Sequence, residues 1–248
     1  MSLALVTGGT QRLGAVIAAR LSAAGYDLAL HYNASPDIDA DLAAALHSRS
    51  VDQATFPADF AEPEASKALL AAVAEHFGRP PTLLVNSASR FGSDTSESAG
   101  ADDLMGHFTI NAAAPIMLSQ AFKAALGEGE GCIVNILDQR LQQPHRDNFA
   151  YTISKFALAG ATQTLARAWA PRIRVNAVAP GLTLPTDNYD PSRLNRVRAA
   201  MPLERLPSPQ DVADAVAWLA GAKAVTGETV HIDGGARHRS FQGDFDRL

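Results

Sequence analysis

Short apolar runs alternate along this chain with longer stretches in which apolar residues recur at helical spacing. The short runs predict strands at residues 3–6, 28–30, 83–85, 132–137, 173–178 and 229–232, and we expect a seventh strand around residues 51–56. The longer stretches predict helices at residues 12–24, 37–48, 63–77, 102–126, 150–170 and 209–220. Alternation of this kind predicts an α/β protein with a parallel sheet covered by helices on both faces. Ligands of such sheets bind beyond the carboxyl ends of the strands.

The 248 residues fit one doubly wound domain. No internal repeat, low-complexity segment or linker divides the sequence, so we predict a single domain over residues 1–248. Residues 182–208 are rich in proline and charge, and we expect them to form a lid over the substrate.

A glycine-bearing turn separates the first predicted strand from the first predicted helix. Gly8 and Gly14 follow the spacing TGxxxGxG, in which Arg12 takes the middle glycine position. Such a turn brings backbone N–H groups and a helix N-terminus against a phosphate. A lone glycine turn also fits an ordinary tight turn. Because a strand precedes it and a helix follows, we interpret this turn, with Leu13, as a nucleotide site.

The end of the second predicted strand indicates which nicotinamide cofactor the turn binds. A cofactor without a 2′-phosphate is usually held by an Asp or Glu about twenty residues past the glycines. Here the strand ends in His31, Tyr32 and Asn33, and Arg12 adds a cation. A missing carboxylate removes repulsion toward a 2′-phosphate, and a guanidinium can hydrogen-bond it. The sequence therefore predicts NADPH/NADP+ in contact with these four residues. The alternative is that Arg12 caps the turn or faces solvent.

Tyr151 and Lys155 stand four residues apart within the helix predicted over residues 150–170. Residues at this spacing share a helix face, so the ammonium can lie beside the phenol. A phenol, whose ordinary pKa is about 10, transfers protons poorly near neutral pH, and a neighbouring cation favours its ionised form. The pair predicts a proton-transferring tyrosine. A solvated helix face is the alternative.

Composition excludes several classes of function. A formal net charge of −5 gives no electrostatic case for nucleic acid. The seven histidines lack ligand spacing, so we expect no metal. The single cysteine, Cys132, lies in an apolar run and is expected to be a buried thiol. Neither a membrane-spanning stretch nor a signal peptide is evident, so we expect a cytoplasmic protein away from membranes.

These features together resemble the short-chain dehydrogenase/reductase family. The motifs that carry the resemblance run in that family's order from about residue 3 to residue 235, namely TGGTQRLG, NSAS at 86–89, Asn111, YTISK, RIRVNAVAPG at 172–181 and VTGETVHIDGG at 225–235. The resemblance implies a Rossmann-type fold, hydride transfer and, commonly, a homotetramer packed through the helices at 102–126 and 150–170. It also raises the hypothesis that Arg237 or Arg239 reaches a neighbouring subunit's substrate. A solvated tail is the alternative.

The same resemblance implies roles for individual residues. Tyr151 would be the acid/base, Lys155 would lower its pKa and bind the nicotinamide ribose, and Asn111 would interrupt helix hydrogen bonding and order a water toward the lysine. The implied cofactor contacts are Asp59 and Phe60 around the adenine, Asn86 and Ala88 beside the cofactor, and Pro180, Gly181 and Thr183 by the nicotinamide.

Some residues depart from the common pattern of the family, among them Arg12 in the glycine turn and Asp138. In these departures the chain resembles the pteridine reductases and the bacterial dihydromonapterin and dihydrofolate reductases. Those enzymes carry aspartate where other members have serine, which is Asp138 here. They also place an aromatic ring on the pterin, which matches Phe91, and Ser89 matches a polar contact between cofactor and substrate. From sequence alone, Phe91 fits an apolar anchor for its loop equally well.

Asp138 favours reduction of an imine-like C=N bond over reduction of a ketone. Reducing C=N delivers hydride to carbon and requires a proton at the adjacent nitrogen, which a nearby carboxyl can relay. A negative carboxylate would instead repel a developing alkoxide. We expect Asp138 and Tyr151, helped by Lys155, to protonate a dihydropterin or a dihydrofolate-like substrate. Three alternatives stay open: Asp138 orders the 139–148 loop, the protein is an NADPH-dependent carbonyl or 3-oxoacyl reductase, or it is a non-catalytic nucleotide-binding sensor.

Overall fold

The computed structural model describes residues 2–184 and 189–239. Seven parallel strands form one sheet in the order β3–β2–β1–β4–β5–β6–β7. The strands are β1 (Leu3–Val6), β2 (Asp27–Tyr32), β3 (Gln53–Pro57), β4 (Leu83–Asn86), β5 (Gly131–Ile136), β6 (Ile173–Pro180) and β7 (Thr229–Ile232). The predicted fold class, a single doubly wound domain with about seven strands, is confirmed.

The described residues contain eight α-helices. They are α1 (Arg12–Ala23), α2 (Ala40–His47), α3 (Ala65–Phe77), α4 (Ala101–Phe108), α5 (Ala114–Leu126), α6 (Phe149–Trp169), α7 (Pro191–Ala200) and α8 (Pro209–Gly221). The single helix predicted over 102–126 is wrong in one respect, because a π-helical segment, Thr109–Ala113, separates α4 from α5.

Helix α7 was not predicted from apolar periodicity, because only Val197 of this charged helix is buried. Its start is instead encoded by local signals. The Asp190 carboxylate accepts a hydrogen bond from the Arg193 N–H at 2.9 Å, and Pro191 occupies the first turn. Both are typical of a helix N-terminus. Part of the predicted lid is therefore helical, while residues 185–188 of it lie outside the described residues.

The core has one layer on each side of the sheet. Along β1, Ala4 and Val6 pack with α1 and α8 through residues such as Leu21 and Val216. Leu3 and Leu5 belong to the opposite layer, with α3 and α5. Burial on both faces explains why the strands read as continuous apolar runs rather than alternating ones.

The chain order places the functional edge of the sheet. From β1 the chain proceeds to β2 and β3 on one side, and then returns to β4 and continues to β7 on the other. The direction reverses between β1 and β4, so a crevice opens at the carboxyl ends of these two strands. A ligand site is expected there.

Three further observations concern the described part of the chain. No helix within residues 2–184 and 189–239 combines the length and the apolar character that crossing a membrane requires. The same residues bring no group of three or more His, Cys, Asp or Glu side chains together as a metal site. The Cys132 thiol is buried, and this burial raises its pKa to about 11.

Candidate active site

A cavity of about 540 Å³ opens at the predicted edge of the sheet. It brings together segments that are far apart in sequence: the turn after β1, the segment after β4, the loop after β5 with the start of α6, and the segment after β6. The predicted site residues that line it are Gly8, Arg12, Leu13, Gly14, Ala88, Ser89, Phe91, Asp138, Tyr151, Gly181 and Thr183. The cavity therefore joins the glycine turn to the Tyr151 region.

The glycine turn packs backbone against backbone. A Cβ at Gly14 would lie 2.0 Å from the Gly8 carbonyl oxygen, so no side chain fits there. Helix α1 begins at Arg12, its first turn contains no acidic residue, and Gln11 makes no side-chain cap. The first N–H groups of α1 thus have no side-chain acceptor. A helix N-terminus of this kind suits a phosphate.

Arg12 keeps the backbone conformation of the glycine that it replaces. Its φ of 53° lies in the left-handed region, which costs a non-glycine residue about 1–2 kcal/mol. The side chain is exposed and lines the cavity. Within the described residues its guanidinium makes no hydrogen bond or ion pair, so it does not cap the turn. Arg12 therefore offers an unused cation at the cavity rim.

The His31 side chain supports the glycine turn from the protein interior, and a cofactor contact at this residue stays a prediction. The ring is buried, its Nδ1 accepts the Gly8 N–H at 3.0 Å, and its Nε2 lies 2.9 Å from the Ala58 carbonyl oxygen. Burial lowers the pKa of His31, so the ring stays neutral and can accept at Nδ1. Phe60, also expected at the adenine, stacks on this ring at 4.4 Å and is buried. Both residues shape the turn.

The other residues expected near the adenosine half do not line the cavity. Tyr32 is half-buried and Asn33 is exposed at the end of β2. Asp59 is exposed after β3, and its Oδ1 accepts the Ala61 N–H at 2.9 Å. No carboxylate follows β2 directly, which agrees with the sequence argument about a 2′-phosphate.

The Asn86 side chain supports the sheet edge and does not line the cavity, and a cofactor contact at this residue stays a prediction. It is buried, and its Nδ2 donates to Asn135 Oδ1 at 2.8 Å. Beside it, the hydroxyl oxygen of Thr7 accepts the N–H groups of Ser87 and Ala88, both at 2.9 Å. Sequence reasoning missed Thr7, which joins the ends of β1 and β4 where the cavity opens. Pro180 is likewise buried at the end of β6 and does not line the cavity.

Tyr151 and Asp138 line the cavity, and Lys155 lies buried behind Tyr151. The Tyr151 hydroxyl donates to Asp138 Oδ2 at 2.9 Å. Lys155 lies one turn along α6, with its Nζ 5.5 Å from the centre of the Tyr151 ring. Its Nζ donates to the Ile136 carbonyl oxygen at 2.9 Å. Burial lowers the pKa of Lys155 to about 8, and the negative charge of Asp138 opposes that shift. The arrangement can pass a proton along hydrogen-bonded oxygens.

Asp138 divides its two oxygens between structure and site. Its Oδ1 accepts the Arg140 N–H at 2.9 Å and so caps the short turn that follows β5. Its Oδ2 faces Tyr151. The alternative, that Asp138 orders the 139–148 loop, therefore accounts for Oδ1 only. Oδ2 is hydrogen-bonded to Tyr151 and can take part in proton transfer.

Phe91 is not an anchor for its loop, because 59 % of the residue is exposed. Its ring centre lies 4.8 Å from that of Tyr151 at an interplanar angle of 71°. The ring therefore stands edge-to-face beside the hydroxyl-bearing ring, with much of its surface free for a planar ligand.

Asn111 lies in the π-helical segment between α4 and α5, and its side chain is fully buried. Its Oδ1 accepts from the Arg90 N–H at 2.7 Å and the Ser89 hydroxyl at 3.2 Å. Its Nδ2 donates to the Arg90 carbonyl oxygen at 2.9 Å and to Ser154 Oγ at 3.0 Å. The amide is thus used in holding the segment before Phe91 and does not point at Lys155. An ordered water toward the lysine stays a prediction.

Arg140 is a site residue that sequence reasoning missed. It lines the cavity and is only 4 % exposed. Its Nη1 donates to Asp147 Oδ1 at 2.9 Å, and its Nε lies 4.0 Å from Asp138 Oδ1. The sequence offered one indication of this role, namely that Arg140 follows Asp138 by two residues, but from sequence alone residues 139–148 are expected only to form a loop.

The lid and the tail contribute unequally to the described site. From the predicted lid, Leu182, Leu184 and Tyr189 also line the cavity. Arg237 donates to Asp233 Oδ1 at 2.8 Å, whereas Arg239 is exposed. Contact of either arginine with a neighbouring subunit stays a prediction, and residues 240–248 lie outside the described residues.

Comparison with known proteins extends these observations. A family model described as enoyl-(acyl carrier protein) reductase matches residues 9–237. The chain is 34 % identical to pteridine reductase 1 of Leishmania tarentolae, covering 94 % of this chain and 95 % of that protein. It is 30 % identical to a 3-oxoacyl-[acyl-carrier-protein] reductase of Staphylococcus aureus, over 94 % and 96 % of the two chains. The crystal structure of FolM alternative dihydrofolate reductase 1 from Brucella suis, a complex with NADP, is similar with a TM-score of 0.86 and 33 % identity, over 96 % of both chains.

Proposed function

The chain belongs to the short-chain dehydrogenase/reductase family and is an NADP-dependent oxidoreductase, and from that premise we propose that it reduces a C=N bond of a dihydropterin or dihydrofolate-like substrate. The observation that carries the proposal is the 2.9 Å hydrogen bond from the Tyr151 hydroxyl to Asp138 inside the cavity. Relatives whose names record pteridine and dihydrofolate reduction support the same substrate class.

The residues of the glycine turn fit the cofactor. The uncapped first turn of α1 would hold the pyrophosphate. Arg12 would pair with the 2′-phosphate. The segment after β6, with Gly181 and Thr183, would lie at the nicotinamide, and Lys155 would bond the ribose beside it. NADPH, when bound, supplies the hydride.

Tyr151 and Asp138 would supply the matching proton. Reduction of C=N adds a hydride to carbon and a proton to nitrogen, and the proton leaves the hydrogen-bonded pair and is replaced from solvent. The buried Lys155 ammonium, 5.5 Å from the Tyr151 ring, stabilises the phenolate that forms if the tyrosine gives the proton. Phe91, exposed beside Tyr151, would stack on the flat ring system of the substrate.

The second candidate function is reduction of a carbonyl or 3-oxoacyl substrate. The Staphylococcus aureus relative supports it, since that protein is named a 3-oxoacyl reductase. Asp138 weighs against it, because a carboxylate bonded to the tyrosine repels the alkoxide that forms from a ketone. A non-catalytic nucleotide sensor is disfavoured, since it would have no chemical need for this proton-transfer set.

The test is NADPH oxidation with dihydrobiopterin, dihydromonapterin and dihydrofolate, run beside a ketone and a 3-oxoacyl thioester. Asp138→Ala and Asp138→Asn remove the proton relay. Asp138→Ser, the residue at this position in other family members, is the matched control. We expect pterin turnover that falls about 10²-fold or more in all three variants. Turnover of ketones alone, improved by Asp138→Ser, would refute the proposal. Tight NADPH binding with no turnover of any substrate would favour the sensor.

We further propose that the protein forms a homotetramer. Helices α4, α5 and α6 expose large apolar side chains that an interface would cover, among them Met105, Phe108, Ile153 and Phe156. Light scattering of the purified protein measures the assembly directly. A monomer would refute the expectation.

A further inference from the structure

Arg140 is a buried cation that lies between two carboxylates of the candidate site. Its Nη1 donates to Asp147 Oδ1 at 2.9 Å and to the Asp147 carbonyl oxygen at 3.2 Å. With its amide oriented to satisfy both of its ends, Asn148 accepts from Nη2 at 3.2 Å. On the other side, the Arg140 Nε lies 4.0 Å from Asp138 Oδ1. The guanidinium therefore lies between Asp138, in the loop after β5, and Asp147 and Asn148, just before α6.

We propose that Arg140 is a positioning residue for the reaction: it fixes the Asp138 carboxylate so that Oδ2 receives the proton of Tyr151. This inference rests on the proposed function, because it acts through Asp138. It adds to that function a residue that lies outside the tyrosine, lysine and aspartate set.

Two groups of Arg140 act on the same oxygen. Its backbone N–H donates to Asp138 Oδ1 at 2.9 Å, and the Nε of its guanidinium lies 4.0 Å from that oxygen, which makes an ion pair rather than a second hydrogen bond. A carboxylate with only one hydrogen bond could turn about its terminal torsion, which has broad minima. With Oδ1 held, Oδ2 is the oxygen left for the Tyr151 hydroxyl. The orientation of the proton acceptor is thus set by Arg140.

The charge of Arg140 matters as well as its hydrogen bonds. Asp138 and Asp147 both lie near the cavity with partly exposed side chains, at 20 % and 16 %. Without a cation between them, the two carboxylates would repel each other and Asp138 would turn toward solvent. A planar guanidinium can reach both carboxylates at once, whereas a lysine ammonium is a single point charge.

The experiment is a double-mutant cycle between Arg140 and Asp138 with a pterin substrate. Arg140→Met removes the charge and keeps much of the aliphatic length, while Arg140→Lys keeps the charge without the fork. Arg174→Met is the matched control, because Arg174 is a part-buried arginine that donates to the Leu219 and Ala220 carbonyl oxygens at 2.8 and 2.7 Å. Each variant is measured for kcat, KM and the NADPH dissociation constant.

We expect Arg140→Met to lower kcat by about tenfold, a coupling typical of interacting groups, with KM and NADPH binding changed less than about threefold. Arg140→Lys should retain part of the lost rate. In the Asp138→Asn background, Arg140→Met should change kcat by less than about twofold, since the residue that it positions is already disabled. Arg174→Met should lower the melting temperature and leave kcat unchanged.

Equal losses of kcat from Arg140→Met in both backgrounds would overturn the inference, because a merely structural arginine acts independently of Asp138. A loss confined to KM or to NADPH binding would overturn it too. If Arg140→Met fails to bind NADPH, the same double-mutant cycle is measured with Arg140→Lys in its place. Should Asp138→Asn leave pterin turnover intact, the proposed function fails instead, which is a separate and distinguishable result.

Discussion

Replacing Arg12 by glycine should make the protein more stable and less selective for NADPH at the same time. Arg12 has a φ of 53° at a position where the family spacing carries glycine. The left-handed conformation costs a side-chain-bearing residue about 1–2 kcal/mol, and glycine adopts it freely. Compared with a residue that carries a side chain, glycine gives the unfolded chain more conformational entropy, which lowers the free energy of unfolding by about 0.4–1 kcal/mol. The net gain is therefore about 1 kcal/mol, or roughly 2–4 °C in melting temperature for a protein of this size.

The matched control for this prediction is Arg12→Ala, which removes the guanidinium but keeps a Cβ in the left-handed region. It should bring no gain in stability, since the strain stays. Both variants should lose the same contact with the 2′-phosphate. A hydrogen bond to a charged group is worth about 1.5–3 kcal/mol, so the NADPH dissociation constant should rise by about 10- to 100-fold. NADH binding should hardly change.

Thermal unfolding followed by circular dichroism measures the first effect, and cofactor fluorescence titrations with NADPH and NADH measure the second. If Arg12→Ala stabilises the protein as much as Arg12→Gly does, the strain argument is wrong. If NADPH and NADH lose affinity equally, the guanidinium does not meet the 2′-phosphate. The two conclusions can fail separately, because one depends on the backbone and the other on the side chain.

Three further predictions follow from the described site. Burial lowers the pKa of Lys155 to about 8, so the ammonium that favours the Tyr151 phenolate is lost as pH rises through that value, and kcat/KM should fall there. Asp138→Asn removes the negative charge that raises the pKa of Lys155, so in this variant the fall of kcat/KM should occur at lower pH. Asn111→Ala removes a fully buried amide that bonds the buried Ser154 hydroxyl and both backbone groups of Arg90. It should cost about 3 kcal/mol, or roughly 10 °C in melting temperature, and an unchanged melt would contradict the geometry. Phe91→Ala should raise the KM for a pterin, and because the ring is exposed it should change the free energy of unfolding by less than about 0.5 kcal/mol. Phe91→Tyr, which keeps an aromatic ring, should leave the KM unchanged. A large loss of stability in Phe91→Ala would show that Phe91 anchors its loop.

The elements that the sequence predicted well are those whose signal is local. Strands buried on both faces appear in the sequence as short apolar runs, and six of the seven strands lie where such runs occur. The exception is β3, of which only Phe56 is buried. Helix α7 escaped this reasoning because it buries only Val197 and shows little apolar periodicity. Apolar spacing continues through Thr109–Ala113, so it did not predict the interruption at Asn111. Only the family resemblance implied that interruption, which the structure shows as a π-helical turn.

By itself, the sequence determined the fold class and the family, and it predicted which residues carry the chemistry. The Tyr151 and Lys155 pair follows from helical spacing, the glycine turn from its place between a strand and a helix, and Asp138 from a departure within a familiar pattern. These inferences hold because residue type and short-range spacing limit what a segment can do.

Only the tertiary structure decided which groups meet. Tyr151 donates to Asp138 across 13 residues of sequence. His31 accepts from Gly8 across 23 residues and so supports the glycine turn. Arg140 gained its place between two carboxylates in the same way. Contacts between distant segments depend on how helices and strands pack and on which polar groups remain to be satisfied once buried. No short-range pattern records that outcome.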